Sequence, residues 1–252
     1  MASSVPQYDE WLDESTVEAL GHSLGDPASV RSARTEALRA FRELPLEPNP
    51  LYRKYGYFAG VDLAHLNPSA RGPPTPPPPA QPGTVQIVHD AAGTRVALPP
   101  ELASRGVAAE LLPDVWAAGD STAEEFFRVD RTAEDRLSAL ALAVINRGYR
   151  LTIPEHLEAP VRVQDITVLS APHEGLSVHR SVSVGAGSRL LFSEECYSTS
   201  EPDHQRRVGS SVQLTLGDGG QASYLAVHAP DARAIGLYSR RATLGRASRL
   251  GW

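Results

Sequence analysis

The sequence predicts a mainly β protein with some α structure: a parallel β-helix, or β-solenoid, preceded by an N-terminal helical and mixed region. Helical apolar spacing marks stretches near 26–45 and 132–148, whereas from Tyr149 onward the period changes to two. A glycine-centred pattern then recurs. Three residues before Gly185, Gly217 and Gly245 stand Val182, Leu214 and Ala242, and one before stand Val184, Leu216 and Leu244. Five after are Leu190, Ala222 and Leu250; seven after are Phe192, Tyr224 and Trp252. Pro154 fits the register more loosely, with Leu151 and Ile153 before it and Ala159 and Val161 after it. The four anchors lie 31, 32 and 28 residues apart. Each repeat reads as strand, tight corner, strand, and cannot bury its apolar face alone; stacked repeats can. The matched offsets favour a solenoid over an antiparallel sandwich of ordinary hairpins.

In chain order, residues 1–70 read as the helical region. Asp26 and Pro27 form an N-cap and first-turn pair, followed by Val30, Ala33, Ala37, Leu38, Phe41 and Leu44 on one face, with Pro45 ending the helix. Residues 71–83, "RGPPTPPPPAQPG", hold seven prolines in thirteen positions and read as an extended polyproline linker. Residues 84–148 form a mixed α/β region leading into the solenoid. There "TVQIVHD" and "TRVAL" make a hairpin around Asp90 to Gly93. Ser121 with Glu124, and Thr132 with Asp135, have capping-box spacing, and Leu137, Leu140, Ala141, Val144 and Ile145 give the second helix an apolar face closed by Gly148. Residues 149–252 hold the β-helix repeats, with the last one incomplete. A strand that stops at Trp252 leaves an uncapped coil, so a truncated chain is expected.

Composition narrows the function classes. A hydrophobic share of 41% fits a soluble globular protein, and neither a signal peptide nor an apolar run near twenty residues is present. A single cysteine forms no internal disulfide, in keeping with a reducing compartment, so a cytoplasmic location is expected. The net charge of −6 argues against a dedicated nucleic-acid binder, and the Arg206-Arg207 and Arg240-Arg241 pairs are too short to reverse it.

Four stretches resemble the SufB/SufD family of iron–sulfur cluster assembly proteins, on its SufD side. They are "NPLYRKYGYFAGVDL", "DRLSALALAVINRGYRLTIPEHLEAPVRV", "SVSVGAGSRLLFSEECYS" and "VQLTLGDGGQASYLAVHAPDARAIGLYSRRATLGRASRLGW". Their order and spacing carry the resemblance, with "SRRATLG" especially typical. It implies a right-handed β-helix flanked by helical regions, and a scaffold subunit with no catalysis of its own. The implied partners are a SufC-like ATPase and a SufB-like subunit, on which a transient iron–sulfur cluster is built. No cofactor is expected to be held stably by this chain alone, although some family complexes bind flavin. In the family, the ATPase-docking domain and the cysteine and histidine linked to cluster assembly lie late, beyond the stretch seen here. SufB-type members carry a cysteine where this chain has Cys196, and a sulfur-accepting cysteine where it has Leu244, which speaks against an independent sulfur-accepting role.

Cys196 is thus the candidate metal or sulfur site, since a thiolate is both nucleophile and soft ligand. One sulfur cannot hold a cluster alone, and a small half-buried strand residue is the simpler reading. No residue is assigned a catalytic or cofactor-binding role. The eight histidines show no metal-binding spacing, though His173, Glu174 and His179 share one turn and strand. Glu194 and Glu195 read as a solvated edge, and at least one of Arg240 and Arg241 as pointing outward. "GDGG" at 217–220 lacks the lysine and helix of a phosphate loop and reads as a corner. The alternatives from other classes are a β-helix enzyme acting on acidic polysaccharide and a non-catalytic interaction module. The first requires Asp with Lys or Arg clustered on a stacked strand face, whereas the charges of the repeats look scattered.

Overall fold

The computed structural model describes residues 12–44, 72–119, 136–171, 175–199 and 206–252. The "NPLYRKYGYFAGVDL" stretch, the two capping pairs, His65, His173, Glu174 and His204 lie outside the described residues.

Helices α1 (Glu14–Ser23) and α2 (Ala28–Glu43) open the chain. Asp13 begins α1 by accepting from the Thr16 backbone N–H at 2.7 Å, the usual way a carboxylate satisfies a free helix donor. In α2 the face of Val30, Ala33, Ala37, Leu38 and Phe41 is buried as its spacing predicts. Its beginning differs from expectation. Pro27 stands in the cap position without a side-chain cap bond, and Asp26 instead accepts from Arg34 Nε at 2.5 Å. Arg34 is fully buried, so the carboxylate is drawn to the charge that most needs a partner.

Among the described residues three short helices follow: α3 (Pro100–Ala103), α4 (Leu112–Ala117) and α5 (Arg136–Ala143). Apolar side chains of α1, α2, α4 and α5 form one core cluster. Arg34 Nη1 donates to the carbonyls of Ala143 and Ile145 at 3.2 and 2.7 Å, which ties α2 to the end of α5 and the start of the sheet. Gly148 was expected to cap this last helix. Instead α5 ends at Ala143 and Gly148 lies inside a strand. A Cβ at Gly148 would stand 2.5 Å from the carbonyl oxygen of His179 on the adjacent strand, so glycine is there for close approach.

The strands are β1 (Thr84–Asp90), β2 (Gly93–Ala97), β3 (Ala108–Leu111), β4 (Arg147–Ile153), β5 (Val161–Leu169), β6 (Gly175–Val184), β7 (Arg189–Ser198), β8 (Arg206–Leu216), β9 (Gln221–Ala229), β10 (Ala234–Leu244) and β11 (Arg249–Gly251). They form two sheets, β2-β1-β5-β7-β9-β11 and β3-β4-β6-β8-β10. β1–β2 and β3–β4 pair antiparallel, and the remaining pairs are parallel, so the chain alternates between sheets through about three turns of solenoid. The antiparallel β2 and β3 cover the first rung of each sheet.

The register follows the sequence repeat. Leu151, Val182, Leu214 and Ala242 align across β4, β6, β8 and β10, and Leu190, Ala222 and Leu250 across β7, β9 and β11. Only the Pro154 coil departs. Val161, not Ala159, stands opposite Leu190, because this corner carries two more residues before its second strand. The anchor glycines sit where coils nearly touch. A Cβ at Gly185 would lie 2.4 Å from Glu155 N, and at Gly217 2.7 Å from Ala186 N. Two residues beyond each anchor the backbone turns left-handed, at His156, Gly187, Gly219 and Ala247, with φ of 58°, 69°, 67° and 53°. Inside, a large apolar cluster fills the corner end, including Leu151, Val163, Phe192 and Leu214, with Phe192, Tyr224 and Trp252 stacked at 4.9 and 5.0 Å.

The proline tract carries neither helix nor strand over 72–81, and it is bound. It runs along β1, with Thr75 N donating to Asp90 Oδ2 at 2.7 Å and Gln86 Nε2 to the Pro78 carbonyl at 2.8 Å. Among the described residues no helix is long and apolar enough to cross a membrane.

Because the corners leave no room for a side chain, Gly185→Leu should lower stability by more than ~2 kcal/mol. Gln221→Leu, at the exposed first position of β9, should change it by less than about 0.5 kcal/mol. Urea midpoints of the two variants check this; equal effects would refute close coil contact at the glycine.

Candidate functional site

Beyond the apolar corner, the solenoid interior turns polar. Inward positions alternate along each strand, and on β5 and β7 they place Asp165 beside Glu194 on neighbouring rungs, with Thr167 beside Cys196 and His228 next in line on β9. The facing sheet supplies Tyr149, Arg180, Val212 and Arg240 at one level and Val178, Ser210 and Tyr238 at the next. Stacked carboxylates repel, and the facing guanidinium groups hold them.

Arg180 is the centre. Its Nε and Nη2 donate to the two oxygens of Asp165 at 2.9 and 2.6 Å, Nη2 also to Thr167 Oγ1 at 3.0 Å, and Nη1 to Ser210 Oγ at 2.9 Å. The same Nη1 lies 3.8 Å from Glu194 Oε1. Asp165 also accepts from the Tyr149 hydroxyl at 2.7 Å and lies 3.3 Å from His89 Nε2, whose Nδ1 lies 2.9 Å from Thr94 Oγ1. Glu194 accepts from Ser210 Oγ and from the Tyr224 hydroxyl at 2.5 Å each, and from Arg240 Nη2 at 2.7 Å. Asp165, Arg180 and His89 are fully buried, and Glu194 is only 2% exposed. The sites alternate in sign along the axis: Asp165, Arg180, Glu194, Arg240.

The environment decides the charge states. Burial pushes the Asp165 carboxyl up, but Arg180 beside it, with His89, reverses this and holds it well below the carboxylate range. Glu194 behaves alike: burial raises it, and Arg180, Ser210 and Tyr224 pull it below its usual value. Arg180 is held above its ordinary value because Asp165 and Glu194 outweigh burial. His89 is pulled down by burial, which the Asp165 charge opposes only in part, so the ring is neutral at pH 7.

Cys196 closes this chain on the side away from the corners. It packs in a small cluster with Leu169, Leu176 and Val208, against which Tyr238 also lies. The thiol is 2% exposed and burial pushes it up to about 12, so at neutral pH it is protonated. Nearby, the His228 and Tyr238 rings stack at 3.9 Å, and His228 Nε2 lies 3.2 Å from Arg240 Nη2 and 3.7 Å from Glu194 Oε1. The arrangement unites a thiol, a carboxylate, an imidazole and a guanidinium, yet among the described residues no three of His, Cys, Asp and Glu are set to hold a metal ion.

Several sequence expectations change here. Glu194 and Glu195 are not a solvated edge: they point to opposite faces, Glu194 into the ion ladder and Glu195 outward to Gln164, Ser193 and Tyr197. Of the Arg240-Arg241 pair, Arg240 points inward to Glu194. This agrees with the expectation that at least one of the two, here Arg241 on the opposite face of the strand, points outward. The repeat charges are gathered along one internal line rather than scattered. Arg206 and Arg207 are buried in β8 and form no basic surface. His179 is buried on β6, and its two expected companions lie outside the described residues. "GDGG" forms the corner between β8 and β9. The ladder residues escaped the sequence reading, although a signal existed. Tyr149, Arg180, Val212 and Arg240 each stand five residues before an anchor, the same parity as the recognised apolar positions. Glu194 stands nine after Gly185.

No protein-family model matches the chain, and no curated protein matches it.

The charge states make stability depend on pH. His89 has a folded value below its ordinary 6.5, so the unfolded chain binds the extra proton and stability declines as pH falls below about 6.5. Asp165 and Glu194, depressed below 3.8 and 4.5, add a steeper loss in more acidic solution. Replacing His89→Asn should flatten the decline between about pH 6.5 and 5 and leave the acid limb in place. Urea midpoints across pH test this; an unchanged slope would mean His89 is not the buried neutral group.

Proposed function

We propose that the chain is a SufD-like scaffold subunit for iron–sulfur cluster assembly. The observation that carries this reading is the coincidence of two patterns. The stretches that resemble the family, "SVSVGAGSRLLFSEECYS" and the run from "VQLTLGDGG" onward, are the ones that form successive coils of a parallel solenoid, in register at every glycine anchor. Helices precede that solenoid, in the order the family reading requires. The solenoid interior holds the ladder of Asp165, Arg180, Glu194 and Arg240. Its ionisable groups are paired with one another, a state suited to rigidity.

In this reading the scaffold acts through its surfaces and partners. ATP hydrolysis comes from a SufC-like ATPase, and a SufB-like subunit pairs with this chain in the cytoplasm. The cluster is cargo, held with ligands from the partner, since Cys196 offers one sulfur and keeps it protonated and buried. Flavin, where bound, belongs to the complex. The inward turn of the ladder weighs against the acidic-polysaccharide enzyme, whose charges must meet solvent.

Co-expression of this chain, and of the same chain extended with a family C-terminal segment, with SufB- and SufC-like partners under anaerobic conditions tests the reading through complex mass and bound iron and sulfide. The expected outcome is a cluster-bearing complex of the extended chain that Cys196→Ser leaves intact in both mass and metal content. Absence of any complex for both chains would refute the scaffold role. A complex that keeps its mass but loses iron and sulfide on Cys196→Ser would refute a bystander thiol.

A further inference from the structure

The outer face of the β2-β1-β5-β7-β9-β11 sheet is covered over one half only. On β1 and β5, Val88, Ile166 and Val168 are buried at 3%, 0% and 5% exposure. Over β1 lies the proline tract. On β7 and β9 the same face is open, and Leu191, Leu225 and Val227 are 39%, 61% and 39% exposed. Between the tract and β9 runs a groove of about 740 Å³, walled by Pro79 and Gln81 and lined by Arg162, Gln164, Leu191 and Leu225.

The tract itself shows what this face recognises. Proline has no N–H, so a polyproline strand offers carbonyl acceptors and apolar rings and no donors. The sheet answers with side-chain donors: the Gln86 amide to the Pro78 carbonyl at 2.8 Å, and the Arg95 guanidinium to the Thr75 carbonyl at 2.8 Å. The open half repeats that equipment one strand along. Gln164 stands opposite Gln86 in the ladder and Arg162 opposite Thr84. The Gln164 side chain accepts from Gln86 Nε2 at 3.0 Å and donates one N–H to Glu195 Oε1 at 3.2 Å, leaving a second N–H, and Arg162 is exposed. Leu191 and Leu225 supply the apolar floor that proline rings cover.

We propose that this groove binds a second extended proline-rich segment, supplied by a partner chain and lying beside the chain's own tract. The bound segment places its carbonyls on Arg162 and Gln164 and its rings on Leu191 and Leu225, and its preformed conformation keeps the ordering cost low. The proposal rests on the groove alone and is independent of the scaffold reading.

The test is fluorescence anisotropy of the whole chain with a labelled decapeptide, PPTPPPPAQP, the chain's own 73–82 sequence offered in trans. A control peptide carries alanine at every proline. Saturable binding is expected, at least tenfold weaker for the alanine peptide and for Leu225→Glu, and several-fold weaker for Arg162→Ala. Both positions are exposed, and circular dichroism of the variants confirms an unchanged fold. Absent binding, equal binding of the control, or indifference to Leu225→Glu would overturn the proposal. So would a wild-type dimer in sedimentation that Leu225→Glu dissolves, because the groove would then belong to a second copy.

Discussion

The contact between Arg180 and the carboxylates of Asp165 and Glu194 is the constraint on which the solenoid depends. Two carboxylates on adjacent rungs inside a protein cannot both stay charged without a cation between them, and neither can leave, since both strands are held by ladders on each side. Arg180 reaches both from the opposite sheet, and so joins the two sheets across the interior. Arg240 repeats the role one level on, with Tyr149, Tyr224 and Ser210 taking remaining acceptor sites. A slipped register would turn these charges outward and strand their partners inside, so the ladder specifies alignment as well as cohesion.

The corners impose the complementary condition. Coils come close enough that the anchor positions exclude a Cβ, and the chain must turn left-handed two residues later to begin the next strand. Glycine meets the second demand at Gly187 and Gly219, whereas His156 and Ala247 meet it with a side chain present. The long, parallel, in-register sheets follow from the two conditions together. They leave the outer faces to vary, which is where the proline tract and the adjoining groove lie.

The solenoid was legible in the sequence because alternation and recurrence are properties of the chain itself: an inward valine or leucine at a fixed offset from a glycine needs no knowledge of the partner strand. The ion ladder was not, for a physical reason. Glu194 beside Glu195 looks like a hydrophilic edge until the facing sheet brings Arg180 and Arg240 to it from positions 14 residues before and 46 residues after. Gly148 was misread similarly, since what requires a glycine there is the His179 carbonyl on the next strand, not the helix end before it. Asp26 looked like a cap because its partner Arg34 lies eight residues on, inside the same helix. The two-residue slip at Pro154 has a humbler origin: that corner is longer, and no glycine marks it.

A solenoid whose strands must all keep one register gains from a core with so few alternatives, and the central claim is that the ladder supplies it. The direct measurement is a comparison of unfolding free energies for Arg180→Met alone and for Arg180→Met combined with Asp165→Leu and Glu194→Leu. The account predicts a loss of about 3–5 kcal/mol for the single change, which strands two buried carboxylates, and recovery of much of it when they are removed as well. A single variant within about 1 kcal/mol of the parent, or a triple variant less stable than the single by the sum of separate losses, would contradict it.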